Sequence, residues 1–164
     1  MNKAVFLDRD GVINRKRDDY VKNINEFVML QNVPRAIKLL NKKKFLVIII
    51  TNQSAVNRGL LTHYDLAKIH DLMKNELKKH GSFIDAIYYC PHRPDEKCKC
   101  RKPETELIEQ AVREHSISIE SSYFIGDSET DMLTAKKVGL AAIKIEENGN
   151  LLEAVNKISH DLHG

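Results

Sequence analysis

Two aspartates one residue apart stand directly behind an apolar run in "FLDRDGVIN", which begins at Phe6. Residues two apart on a strand share a face, so carboxylates that merely continued the buried "AVF" run would lie in the core. Gly11 offers another arrangement. If the strand ends at Asp8 and the chain turns at Gly11, Asp8 and Asp10 enter a cleft above the C-terminal edge of a sheet, where open α/β sheets bind ligands. Carboxylates so placed can divide nucleophilic attack and proton transfer between them.

The rest of the chain supplies elements to build such a cleft. "AVFLD", "FLVIIITN", "FIDAIYYC", "SYFIGD" and "LAAIKI" read as strands. Between them "VPRAIKLLNKK", "THYDLAKIHDLMKNELKKHG", "ETELIEQAVREH" and "ETDMLTAKKVG" read as helices, and a last helix starts near Asn150. Pro34 suits a first helical turn, Thr62 an N-cap, and Gly81 and Gly139 helix ends. This alternation predicts an α/β fold: one Rossmann-like, mostly parallel sheet flanked by helices, spanning residues 1–164 as a single domain. Two long loops remain, Arg9 to Gln31 and Cys90 to Pro103, and long structured loops commonly carry function.

The notable polar residues follow predicted strands. Asp8 and Asp10 come after the first, Thr51 and Asn52 after the second, Asp127 and Asp131 after the fourth, and Lys102 after the loop that follows the third. Asp8 and Asp127 would repel unless a cation lay between them, and hard oxygen donors with room for water and phosphate suit Mg²⁺. The Thr51 hydroxyl, the Lys102 ammonium and backbone N–H groups would neutralise phosphate oxygens, leaving Asp8 to attack phosphorus and Asp10 to handle the proton. The product of that attack is an aspartyl-phosphate, which water hydrolyses. A lone D-x-D is common, and Asp10 or Asp131 taken singly suits a turn or helix cap; the whole set carries the reading. A calcium loop does not fit, because "DRDGVINRKRDD" has glycine at its fourth position and Asp19 at its twelfth.

Cys90, Cys98 and Cys100 all fall in "CPHRPDEKCKC", a poor disulfide framework. With His92 they match a closed tetrahedral Zn²⁺ site that leaves no position for water, hence a structural one. Zinc would clamp a loop too poor in apolar residues to fold alone and carry Arg101 and Lys102 into the cleft.

These stretches resemble the haloacid dehalogenase superfamily of phosphohydrolases. "DRDGVIN" is similar to its first motif, "TNQS" to its second, "RKP" to its third and "GDSETD" to its fourth. The resemblance implies Asp8 as nucleophile, Asp10 as general acid/base, and Thr51 and Lys102 as phosphoryl binders. It implies Mg²⁺ bound by Asp8, Asp127 and the Asp10 carbonyl, with Asp131 supporting the ion indirectly. "YYCPHRPDEKCKCRKP" and "TNQSAVNRG" further resemble the zinc-containing subgroup that holds heptose 1,7-bisphosphate 7-phosphatases and histidinol-phosphate phosphatases. That subgroup lacks a large cap domain, so the zinc loop would serve as a small lid.

The substrate is a choice between those two. Arg58 within "TNQSAVNRG" favours the heptose type, whereas the short gap from His92 to Cys98, the absence of glycine after "RKP" and Ser128 depart from it. A second phosphate calls for cations, and Arg58 and Arg101, with Lys99 or Arg93 nearby, supply them. Histidinol phosphate calls for carboxylates or a π-face, for which Asp18, Asp19, Asp95 and Glu96 are the candidates. The balance favours heptose bisphosphate. Asn52, Gln53 and Ser54 would bind substrate or shape the phosphate loop, since none titrates near neutral pH.

Composition excludes several other classes. A chain of 164 residues, 42% hydrophobic and 30% charged, is ordinary for a soluble globular protein. A net charge of +3 suits an anionic metabolite and is too weak to argue for nucleic acid. The densest basic run, "NKKK" from Asn41, reads as a solvated helix end. A zinc-bearing binding module would leave the aspartates unexplained, and a nucleic-acid 3′-phosphatase would want stacking aromatics that the loops lack. "MNKAVFLD" is too short for a signal peptide and no run could span a bilayer, so a cytosolic monomer is expected. His63, His70, His80 and His115 are expected at the surface, and His160 and His163 in a fraying tail.

Overall fold

A computed structural model describes residues 1–161; His163, and the side chain of His160, lie outside the described residues. Five strands form one sheet in the order β3-β2-β1-β4-β5, with β1 at Ala4–Leu7, β2 at Leu46–Asn52, β3 at Ala86–Cys90, β4 at Tyr123–Gly126 and β5 at Ala141–Lys144. Every pairing is parallel, with Leu7 opposite Ile49 and Ile125. The helices are α1 (Val33–Lys42), α2 (His63–Lys79), α3 (Glu106–His115), α4 (Glu129–Val138) and α5 (Leu151–Asp161). The expected elements are therefore all present. β1 is one residue shorter than predicted, ending at Leu7 rather than Asp8.

Strand periodicity divides the core into two layers. Val5, Leu7, Val47, Ile49 and Ile125 face α1, α2 and α5, while Ala4, Phe6, Ile48, Ile50 and Phe124 face α3 and α4. Strands buried on both faces explain why the sequence shows continuous apolar runs rather than alternation. Thr62 caps α2 in a reciprocal box with Asp65, and Gly139 ends α4 at a φ of 83°. The segments 8–32 and 91–105 are the long excursions from this framework, and no large cap domain is inserted among the described residues. No helix of the described residues is long and apolar enough to cross a membrane.

The chain winds from β1 outward through β2 to β3, then returns to the other side of β1 for β4 and β5. Loops leaving β1 and β4 consequently diverge at their C-terminal ends, and a crevice opens between them.

Candidate active site

A cleft of about 610 Å³ occupies that crevice. Of the phosphate-site residues named from the sequence, Asp8, Asp10, Asn52, Gln53, Ser54, Arg58, Arg101, Lys102, Asp127 and Asp131 line it. Thr51 does not; it is fully buried beneath, and its hydroxyl oxygen accepts a 2.9 Å hydrogen bond from the Gln53 amide.

The first loop turns as the sequence requires. The Arg9 carbonyl accepts from the backbone of Val12, Ile13 and Asn14, and Gly11 adopts a φ of 86°. A Cβ at Gly11 would stand 2.1 Å from Asp127 Oδ2, so glycine lets this backbone approach the fourth-strand carboxylate. Asp8 Oδ1 accepts the Arg9 N–H at 2.8 Å. Asp10 is held by three side chains: Arg9 at 2.8 Å and Asn14 at 3.0 Å to Oδ1, and Gln53 at 2.9 Å to Oδ2.

Lys102 crosses the floor from the third-strand loop. Its ammonium lies 3.1 Å from Asp8 and 2.6 Å from Asp131, and donates to the Ile50 carbonyl at 3.0 Å. Asn52 clasps the lysine's backbone, accepting its N–H at 3.0 Å and donating to its carbonyl at 3.3 Å. Asn52 thus shapes the loop rather than only facing the cleft. Asp131 also accepts the Asp127 N–H at 3.2 Å, and its own N–H goes to Ser128 Oγ, the N-cap of α4. A lysine at 128 would lack that capping oxygen.

The carboxylates strain against one another. Burial, offset by Lys102 and reinforced by Asp131, Asp10 and Asp127, pushes Asp8 up to about 8. Burial and Asp131 also push Asp127 up. Burial works to raise Asp10 as well, but the Arg9 guanidinium and the hydrogen bonds from Arg9, Asn14 and Gln53 hold it below the usual carboxylate range. Lys102 goes up despite burial, because Asp8 and Asp131 hold its proton. Asp8, Asp127 and Asp131 bring carboxylate oxygens within 4.8 Å of one another, a set that could hold a metal ion. Lys102 bears on two of the three, Asp8 and Asp131, and its shorter contact is to Asp131.

The cysteine loop adjoins this cleft. Cys90, at the end of β3, lies 2.6 Å from Cys100, 3.5 Å from Cys98 and 3.2 Å from His92 Nδ1, sulfur atoms being meant for the cysteines. The four donor atoms fall within 4.8 Å of one another, and three sulfurs with one imidazole fit Zn²⁺. Burial pushes the Cys90 thiol up, whereas Cys98, despite burial, is drawn down to about 7 by the Arg101 N–H and neighbouring sulfur contacts. The loop is tied back to "TNQSAVN" by the Gln53 N–H to the Cys90 carbonyl and the Asn57 N–H to the Pro91 carbonyl.

A D-glycero-beta-D-manno-heptose-1,7-bisphosphate 7-phosphatase of Helicobacter pylori is 39% identical over 158 residues, 96% of this chain and 86% of the relative. The chain belongs to the haloacid dehalogenase-like phosphatases. The HAD-hydrolase-like family profile matches residues 99–161. A Haemophilus ducreyi phosphatase of the same name is 35% identical, covering 98% of this chain and 91% of the relative. Among solved structures, the D,D-heptose 1,7-bisphosphate phosphatase of B. bronchiseptica, complexed with magnesium and phosphate, superposes with a TM-score of 0.88. It is 30% identical, over 97% of this chain and 99% of its own. The mostly parallel, helix-flanked sheet expected from the sequence is that of this phosphatase family.

Some cleft residues of this phosphatase escaped sequence reasoning. Lys16, Arg17 and Tyr20 line the outer wall beside Asp18, which the sequence had offered as a recognition residue; the one signal for the other three was the length of the loop that bears them. Arg9 is wholly buried, and His70, expected at the surface, is 6% exposed and lies 3.1 Å from Arg9. Its helical register shows why: His70 follows Ile69 and precedes Met73 on the buried side of α2. His63 and His115 instead meet the hydroxyls of Tyr89 and Tyr88, and His80 is exposed.

Proposed function

We propose that this chain is a Mg²⁺-dependent phosphomonoester hydrolase that removes the 7-phosphate of D-glycero-D-manno-heptose 1,7-bisphosphate. In this reading residues 1–164 form one domain, with 90–103 as a zinc-clamped lid.

In the working state the proton that burial keeps on Asp8 sits instead on Asp10, so the Asp8 carboxylate attacks phosphorus in line and forms an aspartyl-phosphate while Asp10 delivers that proton to the departing C7 oxygen. Asp10 then takes the proton of the water that hydrolyses the intermediate. Lys102, with backbone N–H groups, balances the charge on the phosphoryl oxygens, and Thr51, buried beneath, acts through the Gln53 amide that it holds. Asp8, Asp127 and the Asp10 carbonyl would hold Mg²⁺, with Asp131 orienting Lys102 and the Asp127 backbone. When bound, the ion offsets the repulsion among these carboxylates and the phosphate. Cys90, His92, Cys98 and Cys100 would hold Zn²⁺ and fix the strand-to-helix segment that carries Arg101 and Lys102.

The observation that carries the substrate assignment is the outer wall of the cleft, where Lys16, Arg17, Arg58 and Arg101 gather beside Asp18; Lys16 is paired with Glu147 and Arg17 with Asp19 and Glu26, which leaves the main part of anion recognition to Arg58 and Arg101. Arg58 stacks over the Tyr20 ring at 5.8 Å and reaches Ser54 Oγ at 3.3 Å, which presents its guanidinium at the rim. Such a wall suits a second phosphate. Of the acids that would recognise histidinol phosphate, Asp19 is tied to Arg17 and Lys22, Asp95 to Arg93, and Glu96 to Asn57. The names of the relatives support the same choice.

The test is Mg²⁺-dependent phosphate release by the purified protein on heptose 1,7-bisphosphate and on histidinol phosphate, with Asp8→Asn as the blank. The expected result is a kcat/KM at least about 100-fold higher for the bisphosphate. A preference for histidinol phosphate would overturn the substrate assignment.

A further inference from the structure

Asp10 has to be aimed at the leaving oxygen, and a carboxylate turns freely unless its neighbours fix it. Two of its three partners, Asn14 and Gln53, are neutral amides. The third, Arg9, brings a full charge and is completely buried, so whatever holds the guanidinium also sets the carboxylate. Arg9 Nη2 goes to Asp10 at 2.8 Å and Arg9 Nη1 to His70 Nε2 at 3.1 Å, while Arg9 Nε has no hydrogen-bond partner among the described residues. His70 is therefore the anchor of this group on the side away from the cleft.

The chemistry of that contact fixes the histidine's form. A guanidinium only donates, so Nε2 must accept, and the ring proton resides on Nδ1. A protonated ring would set two cations side by side in a buried site. Burial first, then Arg9 and Lys74, push His70 down to about 3, with Asp10 acting in the opposite sense. The Tyr89 ring packs edge-on at 6.2 Å and limits rotation of the imidazole.

We propose that His70, on α2, is a positioning residue for phosphoryl transfer: its neutral Nε2 fixes the Arg9 guanidinium, which in turn aims Asp10 at the leaving oxygen. This rests on the reading of Asp10 as general acid/base. His70 touches neither phosphate nor metal, and its contribution acts wholly through Arg9.

Leaving groups separate this role from a merely structural one. An alkoxide must be protonated as it departs, whereas 2,4-dinitrophenolate departs without help, and kcat/KM reports only steps through formation of the aspartyl-phosphate. The experiment compares His70→Leu, His70→Gln and Asp10→Asn with the native enzyme. The substrates are 2,4-dinitrophenyl phosphate and the faster of heptose 1,7-bisphosphate and histidinol phosphate. His70→Leu should lower kcat/KM about 10- to 100-fold on the alkyl phosphate and no more than about threefold on the aryl ester, a part of what full acid/base assistance supplies. His70→Gln, whose amide oxygen can accept from Arg9, should recover most of the loss. Where His70→Leu yields no folded protein, His70→Asn, too short to reach Arg9, carries the same expectation. Equal losses on both substrates, or none on either, would overturn the proposal. Absence of the split in Asp10→Asn would instead overturn the assignment of Asp10, so the two failures are told apart.

Discussion

The carboxylate cleft and the cysteine loop meet at Arg101 and Lys102, yet they are built by opposite means. The cleft draws Asp8 and Asp10 from the loop after β1, and Asp127 and Asp131 from the loop and helix after β4. They are remote in sequence and adjacent because β1 pairs with β4. Fixed protein partners hold them: Lys102 between Asp8 and Asp131, and Arg9, Asn14 and Gln53 on Asp10. The cysteine loop gathers its donors from residues 90–100 and has little apolar packing of its own beyond its three cysteines. A framework can thus be pre-organised by a sheet edge, or left to a metal to complete, and under the proposed zinc assignment this chain does both within one site.

That contrast can be broken at several points. The largest effect belongs to Asp8→Asn, which should lower kcat on the order of 10⁴-fold or more while leaving the melting temperature nearly unchanged. Retained turnover would remove Asp8 as the nucleophile. On the loop side, Cys98→Ser should abolish stoichiometric zinc, measured by elemental analysis. It should also cost about 3 kcal/mol, or roughly 6–12 °C in Tm for a chain of this size. An unaltered zinc content would count against the four-ligand cluster.

Gly11→Ala probes the pre-organised side, because alanine combines a left-handed backbone with a Cβ placed on Asp127. We expect a loss of about 2 kcal/mol or more in urea unfolding, with zinc content preserved. A smaller effect follows from His70. Its pKa is lower folded, about 3, than unfolded, about 6.5, so between those values the unfolded chain binds more protons and stability falls as pH falls. Relative to His70→Gln, the native protein should lose up to about 1.4 kcal/mol per pH unit below 6.5. A pH-independent difference between the two would show that the ring is not held neutral. Smallest of all, Arg58→Ala should raise KM for the bisphosphate about tenfold and leave 2,4-dinitrophenyl phosphate nearly unaffected. An equal change on both substrates would place Arg58 outside recognition of the second phosphate.

Much of this was legible in the chain. Apolar runs of strand length alternating with amphipathic helices dictated an open α/β sheet, and the polar residues immediately after those runs dictated where chemistry could gather. The cysteine cluster was legible for a different reason: its donors are close in sequence, so their proximity in space needs no fold to establish it. Lys102 and Asp131 were named from position alone, yet their 2.6 Å contact and the clasp of Asn52 around Lys102 depend on how the third-strand loop folds over the sheet.

What the sequence by itself determined was the set of strand ends and the residue types upon them, because period and turn chemistry are local properties. Tertiary structure alone decided the strand order that sets β1 beside β4, the burial of Thr51 below the cleft, and the cationic wall of Lys16, Arg17, Arg58 and Arg101. It also decided that His70 lies inside, against Arg9. A histidine on a helix reads the same from either side until the helix is packed; only its packing against the sheet fixes which side meets water and which meets a buried guanidinium.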